Sequence, residues 1–219
     1  MADDDAPVPS RPTRPGPIGG DMATIVYGLA SRMRLPALLR RHDRVTVLGL
    51  FAMINSVISI GLMAFAALIT GAPFVFPSLG PTAFLLFYTP MVPTACPRNT
   101  LAGHAIGAAA GYFALVVFGL QNAGPALSTG VTASRVGAAA LSLGLTAGIM
   151  VWARVPHPPA GATTLIVSLG ILHEPWQLAV LMLAVFLLVL QGLGINRLAG
   201  VPYPVWRPAP NEADTSAAS

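Results

Sequence analysis

Residues 74–96 read FVFPSLGPTAFLLFYTPMVPTAC, and the run Phe76-Pro77-Ser78-Leu79-Gly80-Pro81-Thr82-Ala83 inside it decides how the chain is read. The stretch is apolar enough for a membrane span, yet a regular helix cannot pass through it. Pro77 and Pro81 each lack an amide donor, and Gly80 adds backbone freedom between them. Pro81 suits the first turn of a new helix, where a missing N–H costs nothing. The expected structure is an extended segment followed by a short helix over 81–88. The pattern then returns: His157-Pro158-Pro159-Ala160-Gly161-Ala162-Thr163-Thr164 aligns with the first run without a gap. Both read P-x-x-G-x-T, and both open a short apolar segment.

Clean apolar runs flank each break. Residues 45–69 contain no charge and exceed the ~20 residues that span hydrocarbon; Asn55, Ser56 and Ser59 within them are expected to face other helices. Residues 100–120 form a third segment, 135–152 a fourth, and 176–195 a last clean span after the second break at 158–172. Trp176 at one end and Tyr203 and Trp206 beyond the other sit where aromatic belts lie. The order is helix, broken helix, helix, twice over. Gly103, Gly107 and Gly111, and likewise Ala140, Gly144 and Gly148, recur every four residues, on one helix face each. Such faces admit a second backbone closely, within the chain or between copies in a homo-oligomer.

Composition agrees with a membrane domain. Of 219 residues, 54% are hydrophobic and 9% charged, against about 25% charged in soluble domains, and the mean hydropathy is +0.70. The net charge of +4 is carried by arginines without a single lysine. Arg32, Arg34, Arg40, Arg41 and Arg44 crowd before the first span, as cytoplasmic anchors do, and no basic-aromatic interleaving points to nucleic acid. Residues 1–22 are expected to be a disordered tail, 23–44 a basic interfacial segment interrupted at Pro36, 45–207 the transmembrane domain and 208–219 a second disordered tail. No cleaved signal peptide is recognisable at the start, and no soluble regulatory domain fits in what remains. The lone Cys96 excludes an intramolecular disulfide and a thiolate metal cluster.

If each break crosses the membrane, there are six crossings, both termini are cytoplasmic, and the halves form an inverted repeat. If the breaks are re-entrant, there are four crossings, and Arg98 and Arg154 move outside. Charge placement favours the first arrangement, which leaves Arg135 outside with Glu174. The setting expected is a bacterial inner membrane, with lipid as partner.

Breaks at membrane depth survive only inside protein or beside a water-filled cavity. Two half-helix N-termini brought together carry free amides and partial positive charge, a ready site for a small anion. Gly80 and Gly161 would admit the ligand, with the hydroxyls of Ser78, Thr82, Thr163 and Thr164 as further donors. Arg98, Asn99 and His104 at the start of the third span, and His157 before the second break, complete the candidate substrate-binding set. The two histidines are read as anion ligands or proton carriers, or else as helix caps and loop ties. No catalytic or metal motif is present, no cofactor is expected, and Glu174 is the only acid between Asp43 and Glu212, so an enzyme is not expected.

Taken together, FPSLGPTAFLLF, A-x-P-R-N at 95–99, G-H-x-x-G at 103–107, HPPAGATTLIV and the closing Tyr203-Pro204-Val205-Trp206 resemble the HPP family of integral membrane proteins over about 40–207. The resemblance implies a domain described with four or more spans. Plant chloroplast and cyanobacterial members are regarded as nitrite transporters, and many bacterial members have no assigned substrate. The C-terminal regulatory CBS domain of some members has no counterpart in this chain. The expectation is therefore an all-α bundle of two three-segment repeats that transports a small inorganic anion, nitrite by resemblance. An anion channel and a non-transporting structural or assembly subunit are the alternatives.

Overall fold

The computed structural model describes residues 34–208. The expected tail at 1–22, the first part of the basic segment and the tail beyond 208 lie outside the described residues. Within them the fold is all helical: α1 (Leu35–Leu39), α2 (Arg44–Thr70), α3 (Leu79–Tyr88), a 3-10 turn (Pro93–Ala95), α4 (Pro97–Val117), α5 (Ala126–Thr129), α6 (Ala133–Trp152), α7 (Ala160–Ser168) and α8 (Pro175–Leu198). Four of these, α2, α4, α6 and α8, are long and apolar enough to cross a membrane. The chain is an integral membrane protein.

The starts of the long helices follow local chemistry. Asp43 caps α2 by accepting the Thr46 N–H at 2.8 Å, and this bond holds its carboxyl below the usual carboxylate range. Thr132 accepts from the Arg135 N–H in the same way at the start of α6. Pro97 and Pro175 stand in the first turns of α4 and α8, so both begin earlier than the apolar runs suggest. Pro36 likewise lies in the first turn of α1 and opens that short helix, where an interruption was expected.

The two breaks give the short helices α3 and α7. Residues 71–78 and 153–159 are non-helical, and the helices that follow have 10 and 9 residues, about half the hydrocarbon thickness at ~1.5 Å per residue. Each short helix packs on the long helix preceding it, α3 on α2 and α7 on α6, and on the long helix that closes the other half, α3 on α8 and α7 on α4.

Hydrogen bonds tie the helix ends into two groups. At one end the Leu35 N–H donates to Ala199 O at 2.9 Å and the Arg98 N–H to Trp206 O at 3.0 Å. There the Tyr203 hydroxyl donates to Ala95 O at 2.6 Å. The starts of α1 and α4 therefore adjoin the end of α8, and α2 begins just after α1. Tyr203 is completely buried by this contact, so it is a tie between loops where a belt residue was expected. At the opposite end the Ala126 N–H donates to Leu169 O at 2.9 Å, and Arg135 of α6 reaches both α7 and the residues after α4.

Burial runs opposite to that of a soluble protein. Ser59, Thr100, Thr146 and Thr164 are fully buried, while Leu68, Leu127, Trp152 and Leu198 stand at least 80% exposed. Lipid supplies the missing apolar cover.

A histidine held between the two breaks

The glycine stripe of α4 brings the site together. A Cβ added to Gly103 would lie 2.6 Å from His157 Cβ; one on Gly107 would lie 2.7 Å from Ala160 O, and one on Gly111 2.7 Å from Val167 Cβ. Only glycine lets α7 lie this close along α4. This stripe serves contact within the chain. The second stripe does not: Ala140 and Gly144 are exposed, and a Cβ on Gly144 would meet nothing within 4 Å.

Close approach places His104, in the second turn of α4, between the two breaks. Thr82 Oγ1 lies 2.9 Å from His104 Nε2, and Thr163 Oγ1 lies 2.7 Å from His104 Nδ1. These threonines occupy the same position in the two P-x-x-G-x-T runs. His157 Nε2 lies 3.2 Å from His104 Nε2 and 3.3 Å from Thr82 Oγ1, with the rings tilted by 56° and centroids 4.9 Å apart. All four side chains have 0% exposure.

Donor and acceptor roles follow from one carbonyl. His157 Nδ1 lies 2.7 Å from Thr94 O, which can only accept, so this nitrogen carries a hydrogen. In a neutral ring its Nε2 is then the acceptor. The hydrogen between the two Nε2 atoms belongs to His104, whose Nδ1 accepts from the Thr163 hydroxyl. Thr82 reaches Ser78 O at 2.9 Å as well as the imidazoles.

Other candidate residues lie beside this chain. Thr164 Oγ1 sits 2.7 Å from Thr146 Oγ1 and donates to Ala160 O at 3.1 Å, tying α7 to α6. Ser78 is buried with its hydroxyl unpartnered. Asn99 donates to Pro93 O at 2.9 Å, and Arg98 is fixed through its backbone to Trp206; both hold the start of α4 to its neighbouring loops.

The expected pair of amide-rich helix starts is not what the fold provides. Gly80 is exposed and Gly161 half-buried, and a Cβ on Gly80 would meet nothing within 4 Å. The N–H groups of Ala160, Gly161 and Ala162 donate to His157, Pro158 and Pro159 carbonyls at 3.0–3.1 Å, so the start of α7 has no free donor set there. The Pro158-Pro159 pair enters as a tight turn that makes these bonds. Helix phase explains the glycines: two residues turn a helix by ~200°, so a threonine facing inward turns its glycine away.

Two buried polar side chains that tie the bundle together are not singled out by the sequence pattern. Arg135 is 2% exposed, and its guanidinium donates to Gly124 O at 2.7 Å, Ser168 O at 3.1 Å and Ala123 O at 3.2 Å. It thereby closes the C-terminal end of α7, where the helix dipole favours a cation. Asn196 of α8 donates to Leu86 O near the end of α3 at 2.9 Å. A lone charge at the head of an apolar run was the available signal for Arg135; Asn196 had none.

Among the described residues no group of three or more His, Cys, Asp or Glu is placed to hold a metal. The fold and the buried histidine junction define a polytopic helical membrane protein with two interrupted segments meeting inside the bundle. The chain belongs to the HPP family: the model of that family's transmembrane region matches residues 42–204. It is also similar to a transmembrane protein of Dictyostelium discoideum, 31% identical over 100 residues that make up 46% of this chain. The chain spans 31% of the length of that relative. No solved structure matches the chain.

Proposed function

We propose that the chain transports a small inorganic anion, nitrite by the family resemblance, through the junction of Thr82, His104, His157 and Thr163. The observation that carries this reading is the single imidazole of His104 bonded on both sides by equivalent threonines of the two breaks. A buried polar junction in an apolar bundle is costly to build, and polar groups at membrane depth mark solute paths. Two hydroxyls and an imidazole N–H supply the donors that a nitrite-sized anion takes up. In the occluded state they bond one another; a bound anion would replace those bonds.

The packing supports an inverted repeat as the moving architecture. Exchanging α2, α3 and α4 for α6, α7 and α8 turns each principal helix contact into another that is present. The glycines at 103, 107 and 111 meet α7 in ascending order, so α7 runs parallel to α4. The grouped helix ends support opposite senses for the two halves across the membrane. Rocking one half against the other would open one His104–threonine contact at a time. Arg40, Arg41, Arg44, Arg98, Arg197 and Arg207 all lie towards the end shared by α2, α4 and α8. The positive-inside rule makes that end, and both termini, cytoplasmic in a bacterial inner membrane.

Two alternatives share this geometry. A channel would use the same junction without closing both sides. A non-transporting structural subunit is favoured by the mutual bonding of the buried side chains. Purified protein in liposomes separates them. Saturable nitrite uptake, competed by some of nitrate, formate and chloride, supports a carrier; unsaturable flux supports a channel; no flux of any small anion rejects the reading.

A further inference from the structure

We propose that His104 and His157 form a proton site that accepts one added proton and no more, and that this proton travels with the anion. The capacity follows from the geometry of the pair and the repulsion between two buried charges; the coupling rests on the anion-carrier reading above.

Four ring nitrogens belong to the pair. The two Nε2 atoms lie 3.2 Å apart, a separation that holds one hydrogen between them and not two. His157 Nδ1 carries a hydrogen donated to Thr94 O. The neutral pair therefore has two ring hydrogens, one on His157 Nδ1 and one between the Nε2 atoms. The remaining nitrogen, His104 Nδ1, faces the hydroxyl of Thr163 at 2.7 Å. A hydroxyl can either donate or accept, so Thr163 can turn its hydrogen away and receive an N–H instead.

A proton bound at His104 Nδ1 makes that ring an imidazolium and leaves every nitrogen partnered. The hydrogen on His104 Nε2 can then cross to His157 Nε2. This leaves His104 neutral with its hydrogen on Nδ1 and moves the charge to His157. No bond to carbon is made or broken, and the pair gains one unit of charge in total. A second added proton would make both rings cationic with their N–H groups 3.2 Å apart and Thr82 Oγ1 as the one acceptor within reach of both, and charge repulsion between the buried rings opposes it.

The surroundings set the sign of what the site does. Thr82 of α3, the Thr94 carbonyl of the 3-10 turn and Thr163 of α7 contact the pair, and none of them is titratable in the relevant range. On α6, Thr146 bonds Thr164 and brings no charge. At that end Cys96 and Tyr203 are buried, the Tyr203 hydroxyl is committed to Ala95 O, and the half-buried Arg98 stands at the start of α4 without a hydrogen bond to the pair. With no fixed cation bonded to the junction, a single anion there lacks compensation until the pair holds its proton. The chemistry is an anion taken together with one proton.

Nitrogen-15 NMR on histidine-labelled protein in nanodiscs tests the capacity, with signals assigned through His104→Gln and His157→Gln. At high pH His157 should show the Nδ1–H tautomer and His104 the Nε2–H tautomer. On acidification both rings should change together in one step that adds a single proton. Two protons gained in the folded protein, independent titration of the two rings, or no protonation before unfolding each overturns the site. Coupling is read in liposomes with an entrapped pH dye, using protein-free vesicles as the baseline for nitrous acid leakage. A nitrite gradient should move one proton per nitrite, and His157→Gln should lose the proton signal. Nitrite flux without protons overturns the coupling and leaves the anion reading standing. No flux of any anion rejects the carrier and the coupling together, and the NMR result then decides the proton site alone.

Discussion

Thr82 and Thr163 hold opposite nitrogens of one imidazole, at 2.9 Å from Nε2 and 2.7 Å from Nδ1 of His104. They are 81 positions apart in the chain and equivalent in the repeated P-x-x-G-x-T motif. His104 is thus a shared latch between the two interrupted segments, and the rest of the bundle serves to hold it in register.

The α4 glycine stripe sets that register. Gly107→Ala would put a methyl 2.7 Å from Ala160 O and 2.8 Å from Thr164 Oγ1. A backbone atom cannot yield as a side-chain tip can, so the change should destabilise the fold by about 1–3 kcal/mol. Gly144→Ala, with open space around it, should leave the thermal midpoint unchanged or slightly raised. Thermal unfolding of both variants in the same detergent checks the contrast.

Arg135 ties the end of α7 to the segment after α4 through contacts to Ser168, Ala123 and Gly124 carbonyls from an almost fully buried position. Replacing it with Leu strands those carbonyls and should cost about 3 kcal/mol. Arg135→Lys should recover only part of the loss, because an ammonium cannot reproduce the planar fork that spans the carbonyls. Unfolding midpoints of the three proteins give the order wild type, Lys, Leu.

Tyr203→Phe removes the donor to Ala95 O. The carbonyl is left buried and unsatisfied, at a cost of about 1–3 kcal/mol. Because this bond joins the segment after α8 to the entry of α4, proteolysis near 200–207 should quicken in the variant. Timed digestion followed by mass spectrometry reads that site directly.

Much of the fold is legible in the sequence. Uncharged apolar runs mark α2, α4, α6 and α8, and the proline-glycine breaks mark α3 and α7, because each feature acts through local backbone chemistry. The helix starts shift at Pro97 and Pro175, which extend the helices towards their N-termini beyond the apolar runs. The site is legible only in part. His104, His157, Thr82 and Thr163 are recoverable as polar residues at membrane depth. Their convergence is tertiary, and the reading of Gly80 as a ligand contact fails on helix phase, since Gly80 and Thr82 cannot face the same pocket. Arg135 is read only for its side of the membrane; its burial is not legible because the carbonyls that shelter it come from Ala123, Gly124 and Ser168, which a linear reading does not bring together.

Nitrite uptake into liposomes by Thr82→Val and Thr163→Val, each compared with wild type at matched folded protein, tests the latch most directly. Valine keeps the volume and removes the hydroxyl from one side of His104 at a time. Wild type should transport, and each variant should lose at least about tenfold of its uptake, equivalent to ~1.4 kcal/mol. Wild-type uptake rates from both folded variants would contradict the latch.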